Sequence, residues 1–193
     1  LVGADYNEVA LRVTRANLSK ADIWAKVTWG DIGRPDLLAR DLGDNYGIAL
    51  EDLLNVRTFL DHNRPWEPPA QPLAGRTSQS TGAFSYRGRR LNNNDVEAGL
   101  LEHFRRWQPF VHRFGLLVIE LHTISPQLAA ANIGLTSATA YDATHGYSDQ
   151  YIMEVDVCNQ IAAEAGLYPD PAHFCKFPQS DLATVSINLL KGS

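Results

Sequence analysis

The sequence predicts an α/β layered sheet. Three observations carry this: short apolar runs that end on an acid or a histidine, amphipathic stretches between them that open on helix-capping residues, and a nearly continuous apolar run, GLLVIELH at 115–122. Such a run suits a strand of a parallel sheet covered on both faces, and alternating strands and helices imply right-handed crossovers between parallel neighbours. The 193 residues suffice for one domain with a sizeable core.

Residues 1–6, LVGADY, form an apolar run ending on an acid, and Asn7 can cap a helix over NEVALRVTRANL, where Val9, Leu11, Val13 and Leu18 give an imperfect apolar stripe. The next strand is AKVTWGDI, stopping at Gly30–Asp31; a helix follows from Pro35, with proline in its first turn. In ALEDLLNVRTFL, residues 49–60, the second half reads as a strand, cut short by DHNRPWEPP. Residues 67–94 hold prolines, glycines, serines and asparagines without periodicity, which predicts a mobile loop or lid. A helix over 95–114, capped at Asn94 or Asp95, leads into the strand at 115–122. After an irregular stretch at 125–148, YIMEVDVCNQIAAEAGL has helical spacing and ends at Gly166 as a C-cap. FCKF and the terminal ATVSINLLKG read as strands, for about five or six strands in all.

Composition excludes several classes. A net charge of −5, from 22 acidic and 17 basic residues, attracts neither nucleic acid nor an anionic membrane surface. Arg87, Arg89 and Arg90 form the one basic cluster, which reads as a solvated loop. Two cysteines, Cys158 and Cys175, are too few for a disulfide framework and lack zinc or redox spacing, so a reducing, cytoplasmic setting is expected. No apolar run approaches the ~18 residues of a membrane helix, and residue 1 opens into a strand pattern instead of a charged leader.

In open α/β sheets ligands bind beyond the carboxyl ends of the strands. Asp5, Asp31, Asp61 with His62, and His122 occupy the ends of four successive predicted strands. Each taken singly could merely cap a helix or hold a turn; their recurrence along one edge points to a site. His103 and His112 read as surface or packing residues, His173 as part of a turn, and Cys158 as a small apolar group. Trp107, Tyr141 and Tyr151 either line a substrate channel or fill the core, with core favoured.

GADYN, WGDI and EDLLNVRTFLDH resemble elements of the class I S-adenosylmethionine-dependent methyltransferases. The resemblance implies a Rossmann-like sheet in which Asp5 holds the ribose hydroxyls of S-adenosylmethionine, Asp31 lies against its adenine, and the strand opening near Asp52 ends beside the reacting methyl group. LLNVRTFLDHNRPW, IELHTISP and THGYSDQY are similar to the metal-dependent methyltransferase domains of modular polyketide synthases. The family's first strand and glycine-rich loop are absent from residues 1–193, and GDIGRP is no substitute because its glycines follow a different strand. The expected partner is therefore the missing N-terminal part of the same protein, completing the cofactor site.

His62, His122 and Gln150 are the candidate metal ligands, with His145 and Asp149 in reserve, and imidazole with an amide oxygen suits iron or manganese. Read from the residues alone, His62 is equally a general base with the others as loop hydrogen-bonders. The resemblance favours the ion, which would stabilise an enolate at the α-carbon of a carrier-bound or thioester substrate. Two other functions stay open: a metal-independent O- or N-methyltransferase of small molecules, and a non-catalytic remnant serving as scaffold.

Overall fold

A computed structural model describes residues 1–71 and 75–192, apart from the side chains of residues 142, 145 and 146. The chain divides into two compact units, residues 1–50 and 51–193.

The first unit is strand, helix, strand, helix: β1 (Val2–Asp5), α1 (Glu8–Lys20), β2 (Lys26–Trp29) and α2 (Pro35–Tyr46). The Asn7 side chain accepts from the backbone N–H groups of Val9 and Ala10 at 2.9 and 3.3 Å, satisfying two donors that the first helical turn leaves orphaned. Proline at the first position of α2 needs no such partner, and Gly47, at φ 64°, ends that helix in the left-handed region. The two strands run parallel with Val2 opposite Lys26 and Asp5 opposite Trp29. Beyond β2, Gly30 donates to the Asp5 carbonyl at 3.1 Å, and a Cβ there would stand 3.0 Å from that of Ala4. That close approach explains a glycine between strand and acid. The expected apolar stripe of α1 is narrower than its sequence pattern: Leu11 is buried, whereas Val9 and Val13 are more than half exposed.

A short 3-10 turn at Leu50–Asp52 leads to the second unit. Its elements are β3 (Asn55–Thr58), β4 (Ser85–Tyr86), β5 (Arg89–Arg90), α3 (Asn93–Val111), β6 (Leu116–Leu121), α4 (Pro126–Ala131), α5 (Ala138–Ser148), α6 (Val155–Glu164), β7 (Leu167–Pro169), β8 (Cys175–Phe177) and β9 (Val185–Gly192). The main sheet has the order β3-β6-β9-β7, with β8 also paired to β9. β3 and β6 are parallel, as the apolar run at 115–122 suggested, but β9 is antiparallel to β6, β7 and β8, so the sheet is mixed. Short connections explain this: β8 and β9 are joined without a helix, and a parallel return needs a crossover of a dozen or more residues. Leu116 and Val118 of β6, Leu190 of β9 and Leu100, Leu101 and Phe104 of α3 are all buried, and each large side chain contributes roughly 1.5–3 kcal/mol by leaving water.

Three boundaries differ from the sequence expectation, one of them the start of α6 at Val155, four residues into the segment with helical spacing. Helix α3 begins two residues early, because Asn92 is its cap and accepts from Asn94 N–H at 2.9 Å. The stretch 125–148 contains two helices; Ser125 caps the first, accepting from Leu128 N–H at 3.3 Å, with Pro126 in its first turn. Within 67–94, the described residues hold only the β4–β5 hairpin and the first two residues of α3 as regular structure. Among the described residues no helix is long and apolar enough to cross a membrane.

Candidate active site

In the first unit Asp5 and Asp31 stand at the carboxyl ends of neighbouring parallel strands. Both are half-buried. Each commits one oxygen to its own turn: Asp5 Oδ1 accepts from Asn7 N–H and Asp31 Oδ1 from Gly33 N–H, both at 2.8 Å. These are Asx-type turns that hold the carboxylates in place and leave the second oxygen of each for a ligand hydroxyl or amine. At the opposite end of β2 lies an open cleft of about 450 Å³ lined by Arg15, Trp24, Lys26 and Tyr46, which includes no predicted site residue.

The second unit places His62 four residues beyond the end of β3 and Glu120 on the parallel neighbour β6. His62 Nδ1 and Glu120 Oε1 are 2.5 Å apart. Since a carboxylate only accepts, Nδ1 carries the hydrogen and Nε2 of the neutral ring is left as a lone pair, which is how a general base is oriented. Glu120 is held in turn: Oε2 accepts from the backbone N–H groups of Asp61 and His62 at 2.8 and 3.2 Å, and Oε1 from Leu121 N–H at 2.7 Å. His62 and Glu120 are 5 % and 3 % exposed, so the pair is shielded from water and from competing donors.

Behind it lies a buried ionic cluster. Asp61 Oδ1 accepts from His103 Nε2 at 2.9 Å, and Arg57 Nη2 stands 3.2 Å from the same oxygen without hydrogen-bond alignment. Arg57 stacks its guanidinium 4.7 Å from the Trp107 ring. Arg64 donates to the Asp61 carbonyl at 2.8 Å and to the Val96 carbonyl at 3.3 Å. Burial alone would raise the Asp61 carboxyl, but Arg57, His103 and Arg64 together hold it down at about 2. Burial pushes the His103 imidazole down to about 4 despite the Asp61 carboxylate. Residues 61–64 are thus fixed from both sides, which positions His62.

Sequence reasoning missed Glu120, and it left His103 open between surface and packing without seeing its partner. The signal for Glu120 was an acid inside LLVIEL in phase with the buried Leu116 and Val118. A buried acid needs partners, so its register alone marked it. His103 is fully buried and bonded to Asp61, not a surface group. His112 and His173 are exposed, bonded to the Pro109 carbonyl and the Asp170 carboxylate respectively.

The candidate metal ligands are placed unevenly. His62 offers Nε2 with its other nitrogen anchored by a carboxylate, the arrangement a ligating imidazole uses. His122, pushed down to about 4 by burial, has Nδ1 3.1 Å from the Met153 carbonyl and Nε2 2.7 Å from Ser186 Oγ, so ligation would require it to leave Ser186. Gln150 is half-buried just past α5. The side chain of His145 lies outside the described residues, and Asp149 accepts from Arg87 N–H at 2.8 Å. Among the described residues no group of three His, Cys, Asp or Glu side chains is placed to hold an ion.

A family model described as the AprA MT2-like domain matches residues 1–188. Curated proteins give no match. Among solved structures, an O-methyltransferase family 2 protein from Planctomyces limnophilus in complex with apigenin superposes with a TM-score of 0.56 at 11% identity, over 100% of this chain and 42% of that one. The pyocyanin biosynthetic protein PhzM gives 0.52 at 13% identity, over 100% and 42%. The chain therefore spans about two fifths of the length of these structures, and it shares their fold, the Rossmann-like sheet of class I methyltransferases.

Proposed function

Because this chain belongs to the AprA MT2-like family of methyltransferase domains, we propose that it transfers the methyl group of S-adenosylmethionine to the α-carbon of a carrier-bound or thioester, polyketide-type acyl substrate. One observation carries the reading: a buried imidazole whose Nδ1–H is fixed on Glu120, leaving Nε2 as a base. Methylation at carbon needs a proton removed from a weakly acidic C–H, and a base held in one tautomer in a water-excluded site suits that step. S-adenosylmethionine, when bound, supplies an electrophilic methyl sulfonium. Asp5 accepts hydrogen bonds from its ribose hydroxyls and Asp31 meets its adenine. His62 Nε2 takes the α-proton, and the imidazolium is stabilised by Glu120. The glycine-rich strand and loop that complete the cofactor site come from a part of the protein outside residues 1–193.

An ion bound through His62, His122 and Gln150 is the metal-assisted form of the same reading. It is favoured by the open Nε2 of His62, and it requires His122 to give up Ser186 Oγ. Iron or manganese there would act as a Lewis acid toward the acyl oxygen. The complete protein, incubated with S-adenosylmethionine and a malonyl thioester of N-acetylcysteamine, is expected to yield a product one methyl group heavier at the α-carbon. His62→Ala should lose that product while still binding S-adenosylmethionine in titration calorimetry. Wild-type turnover surviving chelation, with no ion found by elemental analysis, would remove the metal and keep the base. Methylation found only on oxygen or nitrogen of small molecules would replace the carbon reading, and absence of cofactor binding would leave a scaffold.

A further inference from the structure

Tyr151 combines burial, placement and an unused polar group. It is 2 % exposed, and its hydroxyl has no hydrogen-bond partner among the described residues. Its backbone N–H donates to the His62 carbonyl at 2.7 Å, so the residue grows from the strand of chain lying directly beside the base. The ring covers the loop that follows His62: its centroid is 5.7 Å from that of Trp66, tilted by 47°, and the Arg64 guanidinium stands 5.3 Å from it.

A buried hydroxyl with no partner costs roughly 1–3 kcal/mol relative to one that is bonded, and phenylalanine would fill the same space without that cost. No described neighbour of Tyr151 bonds its hydroxyl. Arg64 is committed to the Asp61 and Val96 carbonyls, and Asp149 Oδ1 to Arg87 N–H. The other unpartnered groups of the cluster, on Arg57 and Asp61, belong to side chains turned toward Trp107 and His103 on α3.

Resting on the reading of His62 as base, we propose that Tyr151 Oη donates a hydrogen bond to the acyl oxygen of the substrate and stabilises the negative charge that develops there as the α-proton leaves. His62 Nε2 takes that proton and the C–H electron pair enters the enolate, whose oxygen Tyr151 holds without giving up its own proton. The enolate carbon forms the bond to the methyl group. The sulfur–methyl bond breaks with its pair remaining on sulfur, giving the neutral thioether S-adenosylhomocysteine. The proton on His62 then passes to solvent. A preformed neutral donor at a developing oxyanion is among the larger single contributions an enzyme site makes.

The test uses the complete protein and the malonyl thioester of N-acetylcysteamine in heavy water, with deuterium entry at the α-carbon followed by NMR in the absence of S-adenosylmethionine. Wild type should exchange above background, and Tyr151→Phe should lose about 100-fold in both exchange and methylation kcat, with cofactor affinity unchanged and a melting temperature at or above that of wild type. Exchange and kcat within about twofold of wild type in Tyr151→Phe would overturn the proposal. So would a Tyr151→Phe protein that loses cofactor affinity and melts well below wild type, which would assign the residue to the core. A wild type that binds S-adenosylmethionine yet neither exchanges nor methylates the thioester would sink the carbon-methylation reading and the tyrosine with it, an outcome distinct from loss of the tyrosine's role alone.

Discussion

The two polar edges of the molecule rest on different physics. Asp5 and Asp31 are half-buried, and each spends one oxygen on a turn amide two residues ahead. Such carboxylates are stable without a ligand and ready to accept one, because water covers the remaining oxygen until it arrives. Around His62 the charged groups are almost fully withdrawn from water, and Glu120 alone accepts from four donors contributed by three residues. That arrangement is costly to desolvate and rigid once made, which suits proton transfer better than ligand exchange. In the proposed function, binding falls to local turns in one unit and chemistry to a long-range network in the other.

Removing Glu120 should show the contrast at its largest. Glu120→Ala leaves the Asp61 and His62 amides and the His62 ring without their shared acceptor, and the loss in urea unfolding should be about 3–5 kcal/mol. Glu120→Gln keeps the shape but can no longer stabilise the imidazolium, so turnover should fall by roughly 10²–10⁴ with little change in cofactor affinity. Wild-type turnover in Glu120→Gln would dismiss the pair as a catalytic device.

Acid should find the same network next. The folded value of His103 is about 4, against 6.5 for the free group. Between those pH values the unfolded chain binds a proton that the folded chain refuses, so His103 lowers stability by about 3 kcal/mol as pH falls from 6.5 to about 4, and His122, also held at about 4, adds its own loss in the same window. Asp61, held at about 2 against 3.8, adds a further loss only as pH falls through that lower window. In His103→Gln the upper decline should become shallower in urea titrations, leaving the part that His122 contributes, and an unchanged slope would mean that the His103 imidazole is not held neutral.

On the other edge the effects are those of binding. Asp5→Ala should weaken S-adenosylmethionine binding by the complete protein by about 1.5–3 kcal/mol, the worth of a charge-assisted hydrogen bond. Stability should move little, since the side chain contributes one exposed turn bond. Calorimetric affinity equal to wild type would break the assignment of cofactor to that edge.

What could be read in the sequence divides along the same line. The Asn7 cap, the proline start of α2 and the strand β6 were legible because each is decided by neighbours in the chain. So were Asp5 and Asp31 as strand-end acids. The His62–Glu120 contact joins residues 58 apart, and no local periodicity reports such a pairing. Its trace was only an acid in the buried phase of a strand. His103 shares a helix face with Val96, Leu100 and Trp107, which argued for burial but could not say that Asp61 waits there. The direction of β9 was hidden for a related reason: strand periodicity is the same in parallel and antiparallel sheets, and the connection decides.

The smallest expected effect concerns the stretch 67–94, read from sequence as a lid. Two carboxylates of the second unit, Glu97 and Glu154, hold its 76–81 segment through several bonds each. Glu97, fully buried on α3, accepts from Arg76, Ser78 Oγ and the Gln79 and Ser80 amides, and Glu154 accepts from Ser80 Oγ at 2.8 Å, Thr81 N–H at 2.9 Å and Thr81 Oγ1. The hairpin at 85–90 has instead one pair of short strands and three exposed arginines. Local opening should therefore be uneven, with amides 79–81 exchanging more slowly than those of 88–90. Glu154→Gln replaces an anionic acceptor by a neutral one, a change of about 1.4 kcal/mol or less, so exchange at Thr81 should quicken by up to about tenfold while the amides of 116–121 stay unchanged. Equal, rapid exchange over all of 75–94 in the wild type would show that the tethers do not hold in solution, and would restore the whole stretch as a freely moving lid. Slow exchange that Glu154→Gln leaves untouched would shift the restraint to Glu97, the more deeply buried of the two.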